Sequence, residues 1–174
     1  MGRRLLDNDG LRRTIEGLAD EIAGAAPDDA PLALVGIRRR GEHLARRICE
    51  LLRSNHGQQP RLGALDITLY RDDLTTIGPD AVVRGTEIDF DVTDTWLVLI
   101  DDVLYTGRSV RAALDALTDL GRPRAIRLAV LVDRGWRELP IQPDFVGLKV
   151  ETTRDQIVKV KMTEVDGVDE VELA

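Results

Sequence analysis

The sequence predicts an α/β protein with a mostly parallel central sheet flanked by helices. The segments 32–37 and 96–100 are apolar throughout, as in strands that are covered on both faces. Segments with helical spacing of apolar residues lie between such strands, which gives the alternating order of a parallel sheet. The 174 residues suffice to bury one sizeable core, so a single domain over 1–174 is expected.

The first half of the chain predicts two helices and two strands. Apolar spacing predicts a helix over 9–24, and Asp9 can cap its start. A buried strand is expected at 32–37, a second helix after the turn 38–41, and an alternating strand at 62–69. The core-facing residues are expected to be Leu11, Ile15, Leu18 and Ile22 in the first helix, Leu44, Ile48, Leu51 and Leu52 in the second, and Gly63, Leu65, Ile67 and Leu69 in the strand.

The second half begins with a long polar connection. Residues 70–95 are rich in Asp, Thr, Gly and Arg, and a connection of this length is usually functional or mobile. Helix 109–120 is expected to stop at Gly121. The remaining expected features are short strands at 82–83 and 88–90, strands at 96–100, 126–132, 145–150 and 157–162, a hairpin turn at 166–167, and a last strand at 168–173.

Composition limits the classes of function. A net charge of −7 makes the chain a poor non-specific binder of nucleic acid. No apolar run approaches the ~20 residues of a membrane span, and the first residues lack the apolar core of a signal peptide. A cytoplasmic protein with no membrane partner is therefore expected. The single cysteine, Cys49, is expected to be a small buried hydrophobe.

The segment 98–109 carries the strongest chemical signal. Asp101 and Asp102 end a buried strand, where parallel sheets bind their ligands. Two adjacent carboxylates repel each other unless hydroxyl donors or a metal bind both. The turn 106–109 then supplies backbone N–H groups, two hydroxyls and a helix N-terminus, which favour a phosphate. The segment predicts a sugar-phosphate site, with a simple capped turn as the alternative.

Arginines cluster in two other places. Arg38, Arg39 and Arg40 precede Gly41 at the same sheet edge, and three cations on one turn repel unless an anion lies among them. This turn is interpreted as an anion clamp or as a solvated basic loop. The polar connection contains Arg71 and Arg84 and is interpreted as a flap that excludes water from an anionic substrate, or as an ordinary surface hairpin.

The segment 98–109 resembles the signature of the type I phosphoribosyltransferases, which has four apolar residues, two acids and a Thr-Gly-Thr/Ser loop. The resemblance implies that fold, with a flexible hood loop, and phosphoribosyl pyrophosphate (PRPP) as substrate. Mg²⁺ is then held mainly by the substrate, near Asp101 and Asp102, without a protein cage. The implied catalytic residues are Asp101, Asp102 and Arg71, and the implied PRPP-binding residues are Arg39, Arg40, Gly41, Arg84, Asp101, Asp102, Tyr105, Thr106, Gly107, Arg108 and Ser109.

Three further segments, 69–74, 102–108 and 131–141, resemble the PyrR family of bifunctional pyrimidine operon regulators with uracil phosphoribosyltransferase activity. The resemblance covers nearly the whole chain. It implies that uracil and PRPP give UMP and pyrophosphate, that Asp133 and Arg134 lie near the base, and that the chain forms a homodimer or a larger homo-oligomer. Trp136 stands where many members have His, so an imidazole role is lost there.

A purine acceptor is an alternative. The segment 143–147 resembles the one that precedes the base-contacting strand of hypoxanthine-guanine phosphoribosyltransferases. By that alignment Val158 offers backbone groups to a nucleobase edge, and Gln156 lies near its exocyclic oxygen. A few fixed backbone partners suffice to bind either a uracil or a purine edge.

An RNA-binding regulator is a second alternative. Members of the PyrR family sense UMP or UTP and bind leader mRNA through a basic face that includes the first helix. In this chain that helix has Arg12 and Arg13. The positions that serve RNA with basic, hydroxyl or imidazole groups in RNA-binding members hold Glu16, Gly17, Asp20 and Ala25, which weighs against this function.

Overall fold

The computed structural model describes residues 2–73 and 85–174. Arg84, the strand expected at 82–83 and residues 74–84 of the expected hood loop lie outside these residues. The elements are β1 (Arg3–Leu6), α1 (Asn8–Ala25), β2 (Leu32–Ile37), α2 (Arg40–His56), β3 (Arg61–Leu65), a 3₁₀ turn (Thr68–Tyr70), β4 (Trp96–Leu104), α3 (Arg108–Leu120), β5 (Ala125–Asp133), β6 (Phe145–Lys149), β7 (Val158–Lys161), α4 (Thr163–Asp166) and β8 (Glu170–Leu173).

Five parallel strands form the central sheet in the order β3-β2-β4-β5-β6. Helices α1 and α2 pack on one face and α3 packs on the other, so the middle strands are buried on both sides. This confirms the predicted α/β fold and explains why β2 and β4 are apolar throughout. A second, antiparallel sheet has the order β1-β8-β7.

The parallel arrangement places the chemically interesting segments together. Strands β2, β4 and β5 are neighbours, so the residues that follow them, 38–41, 105–109 and 134–141, all emerge at the carboxyl edge of the sheet. Ligands of open α/β sheets bind at this edge. Cys49 lies in the core, fully buried, as expected.

The N-terminal region differs from the sequence prediction in two respects. The cap of α1 is Asp7, whose Oδ1 accepts the Gly10 N–H at 2.8 Å, and the predicted cap, Asp9, lies within the helix. Asp7 takes this role because β1 ends at Leu6 and leaves it in extended conformation. Strand β1 was not predicted, since its partner β8 lies at the other end of the chain.

The strand predicted at 62–69 ends early, at Leu65. The Asp66 side chain accepts hydrogen bonds from the Thr68 N–H (2.9 Å) and hydroxyl (2.6 Å), which turns the chain into the 3₁₀ turn. Leu69 is consequently 67% exposed and does not face the core as predicted. The strand expected at 88–90 is also wrong, since only an isolated bridge between Glu87 and Ala64 forms nearby among the described residues.

The predicted C-terminal hairpin is confirmed, but its connection is longer than a tight turn. Strands β7 and β8 pair antiparallel, and the short helix α4 joins them. Gly167 adopts a left-handed conformation and ends α4, so the turn signal at 166–167 marks a helix end. Val158, Val160 and Met162 are buried, as the alternation predicts.

Candidate active site

The turn from Tyr105 to Ser109, which we call the phosphate loop, joins β4 to the N-terminus of α3. Gly107 has a φ of +92°, and a Cβ there would lie 3.1 Å from the Ile141 side chain, so the loop requires glycine at this position. The helix start favours an anion at the loop. A cavity of about 400 Å³ opens beside it and is lined by Arg71, Asp72, Asp73, Asp101, Val103, Leu104, Tyr105, Thr106, Gly107, Arg108, Ser109 and Val110.

The two predicted carboxylates lie within β4, which continues past the predicted end at 100 to Leu104, and their side chains lie on opposite sides of the strand. Asp101 lines the cavity of the phosphate loop, whereas Asp102 lines a second cavity of about 290 Å³. Burial, followed by the adjacent charge of Asp102 and a hydrogen bond with it, raises the pKa of Asp101 well above its usual range. The pair therefore carries unfavourable repulsion that hydroxyl donors or a cation would relieve.

The turn after β2 lies directly against β4. A Cβ on Gly41 would come within 2.6 Å of the Ile100 carbonyl oxygen, so glycine permits this close approach. Arg40 donates to both oxygens of Asp166, at 2.8 and 3.2 Å, and this contact raises the pKa of Arg40 and lowers that of Asp166. Arg39 is exposed, and the Arg38–Arg39 peptide bond is cis.

Two other predicted arginines are also held by carboxylates of the chain. Arg71 donates to both oxygens of Asp73, at 2.7 and 2.9 Å. Arg108 donates to Asp72 at 2.7 Å and to Glu138 at 3.1 Å. These contacts raise the pKa of both arginines. Both side chains stay cationic at the rim of the cavity.

The predicted base-binding residues extend from the phosphate loop toward 153–158. The Arg134 guanidinium stacks on the Tyr105 ring, 4.0 Å from its centroid, and donates to the Thr153 carbonyl at 3.0 Å. The Thr153 N–H in turn donates to the Gln156 side chain at 2.9 Å. These contacts connect the phosphate loop with Gln156.

Val158 presents its backbone to the second cavity. Ile157 and Ala174 exchange both of their N–H···O bonds, at 2.7 and 2.8 Å. In an antiparallel pair the next residue then turns its N–H and C=O away from the partner strand, so those of Val158 point to the free edge of β7. Val158 lines the second cavity with Arg40 and Asp102.

Asp133 occupies a third cavity, of about 400 Å³, together with Lys149 and Glu151. Burial acts to raise the pKa of Asp133, but the Arg137 hydrogen bond at 2.7 Å and the Gly135 N–H at 3.0 Å outweigh it, and the pKa is lowered. Next to it, Trp136 donates from its indole to the Thr152 carbonyl at 2.7 Å. A tryptophan here thus has a hydrogen-bonding role of its own.

The structure brings most of the predicted site residues to one sheet edge but distributes them over three cavities. Arg71, Asp101 and the phosphate loop share the first, Arg40, Asp102 and Val158 the second, and Asp133 lies in the third. Arg39 lines none of these three. Sequence reasoning missed the residues that hold the predicted arginines or the loop: Asp72, Asp73, Glu138, Asp166 and Arg137. Acidic residues near the arginines were a visible signal for Asp72, whereas Asp166 is 126 positions from Arg40.

Within the described ranges, no helix combines the length and the hydropathy that crossing a bilayer would require. The same residues contain no group of three or more His, Cys, Asp or Glu side chains arranged to hold a metal ion.

The chain is similar to several known proteins. The family model described as "Phosphoribosyl transferase domain" matches residues 2–166. The bifunctional protein PyrR of Thermus aquaticus is 59% identical over 163 residues, which cover 94% of this chain and 90% of that protein. The PyrR of Deinococcus radiodurans is 50% identical over 169 residues, covering 97% and 92%.

Among solved structures, a hypoxanthine-guanine phosphoribosyltransferase from Bacillus anthracis superposes with a TM-score of 0.76 at 14% identity, over 99% of this chain and 98% of that one. This likeness supports the fold alone. The family model and the identity with the PyrR proteins extend over nearly all of the chain and include the phosphate loop. The chain belongs to the phosphoribosyltransferases, and within them to the PyrR family.

Proposed function

We propose that the chain transfers the ribosyl phosphate of PRPP to uracil, giving UMP and pyrophosphate. The observation that carries this proposal is the adjacency, at the end of β4, of a carboxylate pair and a loop that begins a helix, in a member of the PyrR family. The carboxylates suit ribose hydroxyls and the loop suits the 5′-phosphate. A sugar phosphate satisfies both.

The phosphate loop binds the 5′-phosphate in this proposal. Backbone N–H groups at the start of α3 point toward an anion, and the helix dipole favours its charge. The Thr106 and Ser109 hydroxyls add donors, and Arg108 supplies a cation at the rim. Asp101 and Asp102 accept hydrogen bonds from the ribose hydroxyls.

Catalysis is then mainly electrostatic and positional. The bond between C1 of the ribose and the pyrophosphate oxygen breaks, and N1 of uracil forms the new bond to C1. The proton on N1 passes to the departing pyrophosphate, directly or through water. The carboxylates stabilise the positive charge that develops on the ribosyl group. Arg39, Arg40 and Gly41 receive the leaving pyrophosphate. Arg71 closes over the substrate and keeps water out. Arg84, the other arginine predicted for the flap, lies outside the described residues.

Uracil lies at the free edge of β7. The outward N–H and C=O of Val158 match the donor and acceptor pattern of a pyrimidine edge. Gln156 and Arg134 are connected to the phosphate loop through Thr153 and Tyr105, so the base end and the phosphate end are fixed relative to each other. Asp133 lines the third cavity, and its assignment to the base rests on the family resemblance alone.

The carboxylates fit a magnesium ion that the substrate holds in part. Asp101 and Asp102 offer carboxylate oxygens from adjacent positions of β4, and burial, followed by the charge of Asp102, raises the pKa of Asp101. Mg²⁺ keeps several waters and prefers one or two carboxylates plus phosphates, so two side chains suffice. When bound, the ion neutralises the charge of the pyrophosphate. These two residues are the ones that would hold it.

The test is the double variant Asp101→Asn/Asp102→Asn, assayed with uracil, PRPP and Mg²⁺. We expect kcat/KM to fall on the order of a hundredfold or more, because the charges that stabilise the transition state are lost. The matched control is Asp28→Asn/Asp29→Asn, an adjacent acidic pair before β2 at the opposite edge of the sheet. Full activity in the first variant, or no uracil turnover by the natural chain, refutes the proposal.

A purine acceptor is the alternative that the same assay separates. The likeness to hypoxanthine-guanine phosphoribosyltransferases is one of fold, at 14% identity. Hypoxanthine and guanine are therefore supplied in place of uracil. Turnover of purines alone would overturn the assignment of the base and leave the PRPP site in place.

We also propose a second function, regulation through leader mRNA, because the similar PyrR proteins are named bifunctional. UMP or UTP in the nucleotide site would control the binding of RNA. The α1 surface bears Arg12, but it pairs with Glu16 at 3.0 Å and with Asp9 at 3.9 Å. Titration of the operon leader RNA at several salt concentrations tests this function, since binding through phosphates weakens steeply with salt. Absence of binding at low salt removes it.

The proposal includes a cytoplasmic homodimer or larger homo-oligomer. Light scattering during size-exclusion chromatography measures the mass of the assembly, and a mass of 19.3 kDa at all concentrations would contradict it. Cell fractionation measures the location.

A further inference from the structure

The segment from Gly135 to Ile141, which follows β5, packs against the back of the phosphate loop. Glu138 and Leu139 donate their N–H groups to the Thr106 carbonyl oxygen, at 2.9 and 3.2 Å. Arg137 donates from Nη1 to the Tyr105 carbonyl oxygen at 3.0 Å. The Tyr105 and Thr106 carbonyl groups therefore point toward this segment.

The direction of these carbonyl groups affects anion binding. Backbone N–H groups attract a phosphate, whereas a carbonyl oxygen facing it repels its charge. The Gly107 carbonyl is also occupied, since it accepts the Arg111 N–H at 3.0 Å within α3. With three successive carbonyls engaged elsewhere, the loop meets the anion with N–H groups, of which that of Arg108 also donates to the Thr106 hydroxyl oxygen at 3.2 Å. The Tyr105 carbonyl is held by a side chain, that of Arg137, whereas the Thr106 and Gly107 carbonyls are held by backbone N–H groups.

Arg137 is fixed in place by two further contacts. Its Nη2 donates to Asp133 Oδ2 at 2.7 Å and its Nε donates to the Ile141 carbonyl at 2.9 Å. Its side chain is 16% exposed, so water competes little for these bonds. One guanidinium thus joins the phosphate loop to the end of β5.

We propose that Arg137 is a positioning residue that keeps the Tyr105 carbonyl turned away from the phosphate site and so gives the loop its affinity for the 5′-phosphate. Arg137 does not touch the substrate in this account and acts through the loop backbone. The inference rests on the proposed function only in assigning a ribose 5-phosphate group to the loop.

The test compares two probes that bind at different ends of the site, ribose 5-phosphate and pyrophosphate with Mg²⁺, by titration calorimetry without a base. In Arg137→Gln we expect the affinity for ribose 5-phosphate to fall about tenfold, the effect of one hydrogen bond from a charged group. The affinity for pyrophosphate, which is assigned to the turn 38–41, stays within twofold. General damage to the fold would lower both. Arg124→Gln, which removes an arginine at the start of β5, is the matched control.

Further outcomes separate this inference from the proposed function. The KM for PRPP is expected to rise with kcat nearly unchanged. Arg137→Lys, which retains the charge but not all three bonds, is expected to be intermediate and supplies the measurement if the glutamine variant is unstable. Equal ribose 5-phosphate affinity in all variants, or none in the natural chain, overturns the inference. If the natural chain does not use uracil but Arg137→Gln still loses affinity for ribose 5-phosphate, only the proposed acceptor is overturned.

Discussion

The ion pairs of Arg47 fasten the C-terminal hairpin to α2, and their loss is expected to lower the stability of the fold. Arg47 donates to both oxygens of Glu164, at 2.6 and 2.9 Å, and to both oxygens of Asp169, at 2.8 Å. The two carboxylates flank Asp166, which holds Arg40 in the candidate active site. Asp169→Asn removes one charge from this group.

The magnitude follows from the pKa of Asp169. The Arg47 hydrogen bonds lower this pKa from 3.8 to about 2. A carboxyl whose pKa is lower in the folded state stabilises the fold above pH 3.8, and this contribution is lost as the pH falls through about 2. The shift corresponds to about 2 kcal/mol at pH 7, of which roughly half remains at pH 3. Little screening applies, because the side chains of Arg47 and Asp169 are 22% and 15% exposed.

Urea unfolding measures this contribution at the two pH values. The free energy of unfolding of Asp169→Asn is expected to be about 2 kcal/mol below that of the natural chain at pH 7, and about 1 kcal/mol below it at pH 3. Asp29→Asn is the control, since its pair with Arg124 is exposed and such pairs add little. An Asp169→Asn protein as stable as the natural chain, or a difference that does not depend on pH, would refute the reasoning.

Three other substitutions or reactions have clear expected outcomes. Asp101→Asn should raise the thermal midpoint in scanning calorimetry, because burial raises the pKa of Asp101 and its charged form therefore disfavours the folded state. The increase in the midpoint should grow as the pH rises above the usual carboxyl pKa. A lower midpoint in the variant contradicts this. Gly107→Ala should raise the KM for PRPP roughly tenfold in steady-state assays, since φ is +92° and Ile141 blocks a Cβ. Cys49 should react with a thiol reagent in urea but not in the native protein, because it is fully buried; rapid native labelling would show otherwise.

Sequence reasoning predicted the central sheet because its evidence is local. The apolar run of β4 and the two carboxylates after it occupy consecutive positions, and covered parallel strands have no polar face. The antiparallel sheet was predicted only in part. Strand β1 has four residues and pairs Arg3 with Leu173, so no local pattern reveals it. The early end of β3 depends on the Asp66 side chain, which breaks an alternation that otherwise continues.

The sequence predicts which residues form the site, but not the directions in which their side chains and backbone groups point. The motif places Asp101 and Asp102 together, yet alternation along β4 directs them to different cavities. The outward backbone of Val158 follows from which residues of β7 and β8 exchange hydrogen bonds, and this register is set by the hairpin. Tertiary contacts of this kind leave no trace in spacing or composition.

The arginines of the site are already paired with carboxylates of the same chain, and the sequence did not reveal these pairs. Arg40, Arg71 and Arg108 are each hydrogen-bonded to carboxylates of the same chain. A polyanionic substrate that binds to them must replace or share these partners, so the gain in affinity is a difference between two charged interactions. Replacing one carboxylate by a phosphate group of higher charge favours the substrate, whereas a singly charged anion gains little. In the proposed function the paired arginines would therefore favour highly charged ligands, and this preference would depend on the carboxylate partners that the fold brings to them, which a count of arginines does not contain.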